Sequence, residues 1–159
     1  MLADTVWWWK FWKLLHITGV FGFLAAHGAT AAVALQLRKE RDPVRVRALL
    51  DVSRSTRRFM YLSLALLLVA GISNGFVLQA WGRGWIWTAL VLLVALLGLA
   101  FPLAVPYYKR IRLAVAPDGP GLAQDELAEL LASSRPIVIA AVETAGILVI
   151  AWLMIWKPF

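Results

Sequence analysis

Residues 13–36 read KLLHITGVFGFLAAHGATAAVALQ, and this stretch decides the fold. It stays apolar for longer than a helix of a soluble domain requires, and it holds both histidines of the chain, His16 and His27. In a helix, eleven positions turn the second histidine only about 20° from the first and carry it about 16 Å along the axis. The two imidazoles therefore share one face at two depths. Gly19, Ala26 and Thr30 fall on the same stripe, with Phe23 between them. A functional site is expected there first.

The chain has 159 residues, of which 62% are hydrophobic, and a mean hydropathy of +0.76. A soluble domain is nearer half apolar. Stretches long enough to cross about 30 Å of hydrocarbon recur along the chain, so the reading is an all-α, polytopic membrane protein. Its length suits a single transmembrane domain over residues 1–159 and no separate soluble domain. With no cysteine, disulfide and thiolate chemistry are excluded. The net charge of +7 reads as a topology signal and an attraction to anionic membrane lipid, not as a nucleic-acid footprint. The N-terminus MLADTVWWWKFWK lacks a basic leader and a small-residue cleavage site, so the first span is expected to be retained.

Four spans follow, at about 11–37, 59–80, 85–108 and 136–156. Trp7, Trp8, Trp9 and Trp12 are expected to anchor the first at an interface. Segment 38–58, RKERDPVRVRALLDVSRSTRR, carries eight Lys/Arg. Within it, Asp42-Pro43 reads as an N-cap followed by proline at the first helical position, opening a short juxtamembrane helix. Gly71 and Gly75 on the second span are spaced for close helix approach, with Ser73 and Asn74 beside them. WGRGW at 81–85 allows only an antiparallel hairpin. Pro102 and Pro106 are expected to kink the third span. PDGPG at 117–121 reads as a break. Residues 122–135, LAQDELAELLASSR, read as a short amphipathic helix with Leu127, Leu130 and Leu131 on one side.

Charge sets the orientation. Segments 38–58 and 109–135 hold twelve of the 16 basic residues and are expected in the cytoplasm, which places both termini outside it, across a bacterial inner membrane. All nine tryptophans then fall on the outer side, and Tyr61, Tyr107 and Tyr108 on the inner. The economical architecture is an antiparallel four-helix transmembrane bundle.

Depth groups the polar residues into two layers. His27 and Glu143 both lie about 11–15 Å from the inner edge. His16 and Asn74 share the outer half. An ionisable group this deep is costly and faces the bundle interior. Two chemistries suit these residues. One is a b-type haem or porphyrin, since histidine is a common haem ligand and four-helix bundles house cofactors. The other is structural, each histidine bonding a neighbouring helix. His16 and His27 cannot ligate one iron, being about 16 Å apart on one helix, and no third histidine exists. A haem would be five-coordinate, or take its sixth ligand from another residue type or another subunit. Neither a phosphate loop, a nucleophile elbow nor a carboxylate pair is present, so hydrolase and NTPase readings have no support.

The stretch WKLLHITGVFGFLAAHG at 12–28, with GWIWTALVLLVALLGLAFP at 84–102, resembles a bacterial superfamily of small four-helix membrane proteins. That group contains an uncharacterised DUF-type family, the membrane domain of copper-resistance D proteins and the HemJ-type protoporphyrinogen oxidase. The resemblance implies haem binding through a first-helix histidine, which His16 matches as metal ligand. The oxidases also carry histidine and lysine early in the third span. Here that stretch reads Trp85-Ile86-Trp87-Thr88, a departure that separates the chain from the oxidase activity and leaves the uncharacterised family as the nearest likeness.

The expected function is electron transfer or haem handling with haem b. His16, His27, Gly19, Asn74 and Glu143 form the expected site. Within it, His16 is the expected axial ligand, with Gly19 and Gly22 clearing space near it and Gly71 and Gly75 facing it. Two alternatives are an accessory subunit docking another membrane subunit or its own copy, and a proton or metal transport element using Glu143.

Overall fold

Hydrocarbon offers no water to backbone amides, so an apolar chain crossing it must close its hydrogen bonds within a helix. The computed structural model describes residues 2–116 and 122–159, and the side chains of 2–5 and 124 are outside what it describes. Five helices follow one another: α1 (Leu2–Leu37), α2 (Pro43–Val77), α3 (Gly84–Ala114), α4 (Gln124–Leu131) and α5 (Arg135–Trp156). Four of them are long and apolar enough to cross a membrane. The chain is an all-α, multi-pass membrane protein built as an antiparallel four-helix bundle. The break expected at 117–121 lies outside the described residues.

Helices run well past the expected spans, for local reasons. Asp42 caps α2, its Oδ1 accepting from the Val44 amide at 2.9 Å, with Pro43 next. From Pro43 to Met60 there is no further glycine or proline, so the capped helix continues into the membrane. Most of the basic segment 38–58 is thus one rod with the second span. Pro102 and Pro106 lie inside an unbroken α3, which a membrane helix tolerates where neighbours cover the freed carbonyls.

The helices pack as two pairs. α1 lies along α2 with little between their backbones. A methyl group on Gly19 would sit 2.7 Å from the Leu67 amide nitrogen, and one on Gly22 2.5 Å from Ser63 Oγ. One on Gly71 would sit 3.0 Å from the His16 ring. Partner numbers fall on α2 as they rise on α1, the register of an antiparallel pair. Small residues permit this approach, which membrane helices use because lipid gives them no hydrophobic drive to associate. α3 and α5 form the second pair, and the Leu96 side chain fills the notch at Gly146.

At the end that carries the basic segments, called here the basic end, the pairs share a core. Val33 and Leu37 meet Val46 and Leu50, Tyr107, Tyr108 and Ile111, and Leu127 and Leu131 of α4. The amphipathic α4 therefore lies on the bundle. Arg38 donates to the Ala132 carbonyl at 3.1 Å and Arg112 to the Leu50 carbonyl at 3.3 Å. At the opposite, tryptophan end, Trp85 packs with Ala89 and Leu153. There the Trp85 amide donates to the Phe159 carbonyl at 3.3 Å. Between the two ends, the outward side chains are apolar and exposed, as with Phe21, Leu62, Val91 and Leu148, the surface a lipid solvent requires.

Candidate functional site

The two histidines of α1 face different helices. His16 turns to α2, where its Nδ1–H donates to the Leu67 carbonyl at 2.9 Å and its ring lies on Gly71. A carbonyl only accepts, so Nδ1 carries a hydrogen, and in the neutral imidazole Nε2 keeps its lone pair. Asn74 does not join this layer by a hydrogen bond; its Oδ1 is buried without a partner among the described residues. Gly19 and Gly22 are pressed against α2, and the Trp81 ring lies 2.8 Å from where a methyl on Gly75 would sit. The space that these glycines clear is taken up by helix packing and side chains.

His27 turns to α5 and is buried. Its Nδ1 lies 3.7 Å from Glu143 Oε2, and its Nε2 lies 3.1 Å from Thr144 Oγ1. The Thr144 hydroxyl gives its own hydrogen to the Ala140 carbonyl at 2.7 Å. It can therefore only accept from His27, which puts a proton on Nε2 and turns Nδ1 to the carboxyl. With one further proton the pair is imidazolium with carboxylate or neutral imidazole with carboxylic acid, and without it neutral imidazole faces carboxylate. On the tryptophan-end side the buried Phe23 ring stacks on the imidazole, centroids 6.4 Å apart and planes within 15°.

On the basic-end side a cavity of about 60 Å³ opens beside the pair. Its wall runs from His27 and Glu143 past Thr30 and Tyr107 to Arg135 at the start of α5. The Tyr107 hydroxyl is buried with no hydrogen-bond partner among the described residues. Such a space has room for a few waters. A second cavity of about 80 Å³ lies on the far side of Glu143, lined otherwise only by aliphatic side chains of α3 and α5.

Haem finds only part of what it needs. His16 offers a free Nε2, and its Nδ1–H to a carbonyl is the support that a ligating histidine usually has. The α1–α2 seam beside it is closed by Gly19 on the Leu67 backbone, so no porphyrin enters between these two helices. His27 has Nε2 committed to Thr144 and Nδ1 facing Glu143, and it adjoins a cavity of water size, so it does not fit a haem ligand. Among the described residues no group of three or more His, Asp and Glu side chains is placed to hold a metal ion.

Thr144, Tyr107 and Arg135 are functional candidates missed by reading the residues alone. Thr144 was detectable as a hydroxyl neighbouring Glu143 at the depth of His27. Tyr107 and Arg135 read as membrane-interface residues and gave no such signal. Comparison with family models, with curated proteins and with solved structures finds no match to this chain.

Proposed function

We propose that this membrane protein is a proton-transfer element whose working centre is the His27–Glu143 pair. The observation that carries the reading is the juxtaposition at 3.7 Å of two ionisable side chains from different helices. Glu143 lies eight positions into α5, about 12 Å from its start. Ionisable side chains at such depth are costly and mark ion or proton paths. Thr144 holds the imidazole in the orientation that presents Nδ1 to the carboxyl. The cavity toward Arg135 supplies polar surface and room for water, so a proton leaving the pair has a route to the basic end. Phe23 stacks on the imidazole from the other side.

Infrared titration of the purified protein and proton flux into pyranine-loaded proteoliposomes under an imposed potential test this reading. A titrating carboxyl band and a flux, both absent from Glu143→Gln, are expected. Equal flux in wild type and Glu143→Gln overturns it.

A second reading rests on the free Nε2 of His16: a b-type haem with His16 as its protein ligand, supplying one-electron chemistry when bound. The expected result is a Soret band in the purified protein, lost in His16→Ala and kept in His27→Ala. A wild-type spectrum with only aromatic absorbance after haem supplementation overturns it.

A further inference from the structure

At the basic end, two helices bring arginines to one seam. Arg112 of α3 donates to the Leu50 carbonyl of α2 at 3.3 Å. Arg54 stands one turn beyond Leu50 and Arg57 two turns beyond it. The Arg57 guanidinium lies 6.0 Å from the centroid of the Tyr108 ring, within range of a cation–π contact, and Tyr108 is one turn before Arg112. The charges of Arg54 and Arg57 both act on Arg112, with Asp51 as its acidic neighbour. Three positive charges against one negative leave the seam a surplus of two. Among the described residues no carboxylate lies within ion-pair distance of these arginines.

The seam sits where two spans leave the hydrocarbon. The apolar run of the second span begins at Phe59, just past Arg57, and that of the third ends at Tyr108, one turn before Arg112. Below the arginines each helix continues the same face with apolar side chains. Tyr61 and Ile72 fall within about 20° of Arg54 around α2, and Val94, Phe101 and Val105 within about 20° of Arg112 around α3. All five are exposed. α2 packs chiefly on α1, and α3 on α5, so these faces are left to lipid.

This combination selects a ligand. Guanidinium groups present paired N–H donors that match phosphate oxygens. Like charges held at one seam repel, and an anion placed among them relieves that repulsion. A zwitterionic headgroup brings its own cation, which the surplus opposes. A free phosphate leaves the apolar faces unmatched.

We propose that the α2–α3 seam at the basic end binds an anionic phospholipid, its phosphate against Arg54, Arg57 and Arg112 and its acyl chains along the exposed faces of α2 and α3. The site is separate from the His27–Glu143 centre and does not depend on its function.

Native mass spectrometry of the full-length protein in detergent, titrated with phosphatidylglycerol or with phosphatidylcholine of the same chains, tests the proposal. Phosphatidylglycerol is expected to bind about tenfold more tightly. That preference is expected to disappear in Arg57→Gln/Arg112→Gln. It is expected to remain in Lys39→Gln/Arg110→Gln, which removes the same charge from the α1–α2 turn and from the opposite face of α3. If the first double variant does not fold, Arg54→Gln, a change at an exposed side chain, is expected to weaken the preference about threefold. Inorganic phosphate is expected to displace no more lipid than sodium chloride of equal ionic strength. Equal binding of the two lipids, equal loss in the two double variants, an unchanged preference in Arg54→Gln, or displacement by phosphate beyond the salt control overturns the proposal.

Discussion

Thr144 determines which nitrogen of His27 carries a hydrogen. Its hydroxyl donates to the Ala140 carbonyl at 2.7 Å and so meets His27 Nε2, 3.1 Å away, only as an acceptor. The tautomer follows from two hydrogen bonds, and Nδ1 is left facing Glu143 across α1 and α5. Thr144→Val keeps the shape and removes the acceptor, stranding a buried N–H. A loss of about 1–3 kcal/mol is expected, with Thr144→Ser close to wild type. Thermal unfolding in detergent reads both, and equal stability of the valine and serine variants would contradict the assignment.

Glu143 offers a graded test of the same contact. Glu143→Gln keeps a group able to hydrogen-bond the imidazole, whereas Glu143→Leu leaves Nδ1 unpaired, at about 1–3 kcal/mol. The leucine variant is therefore expected to be the less stable of the two. The reverse order in a chemical-denaturation series would show that a polar group at this position costs more in desolvation than its contact with the imidazole returns.

Glycines separate by what lies opposite them. Gly19→Ala drives a methyl into the Leu67 backbone, which cannot move aside as a flexible side chain can, and is expected to cost about 1–3 kcal/mol. Gly28 has open space where a methyl would go, so Gly28→Ala is expected to be neutral or mildly stabilising. Thermal unfolding of the two variants side by side checks this, and equal melting temperatures would contradict the close α1–α2 approach.

Glu40, outside the spans, has its carboxyl pulled below the ordinary range by the backbone amides of Asp42 first and Arg41 second. A lowered folded value means a stabilising contribution that is present above the ordinary carboxylate range. It is lost as pH falls through the folded value. Glu40→Gln is expected to flatten the acid limb of the α1–α2 turn's hydrogen-exchange profile. An unchanged acid limb would show that the bonds from Asp42 and Arg41 do not persist in solution.

Orientation is expected from the basic segments, eight Lys/Arg in 38–58 and four more at 109, 110, 112 and 135. A periplasm-dependent reporter fused after Phe159 is expected to be active, and a cytoplasm-dependent one silent. The opposite pattern would invert the bundle and turn the Arg135 side of the cavity outward.

Some of this protein was determined by the residues in order. Apolar length makes the four spanning helices, because backbone polar groups must close their own hydrogen bonds in lipid. Asp42-Pro43 starts α2, since a short acidic side chain can reach the amide two residues on. Twelve of the 16 basic residues fall at the end away from the tryptophans, the asymmetry by which loop charge sets orientation. Depth also follows from sequence, at a fixed rise per residue, and it matches His27 to Glu143 and His16 to Asn74. Rotation about each axis does not follow from depth. His16 lies on Gly71 and Leu67 rather than bonding Asn74, and Glu143 is presented to His27 because α5 packs on α1. The use of the glycines was likewise a tertiary matter. A glycine makes room, and only the neighbouring helix decides what fills it: at Gly19 the backbone of Leu67, at Gly75 the ring of Trp81. The two cavities that meet at Glu143 belong to the packing of pairs, which no single helix encodes.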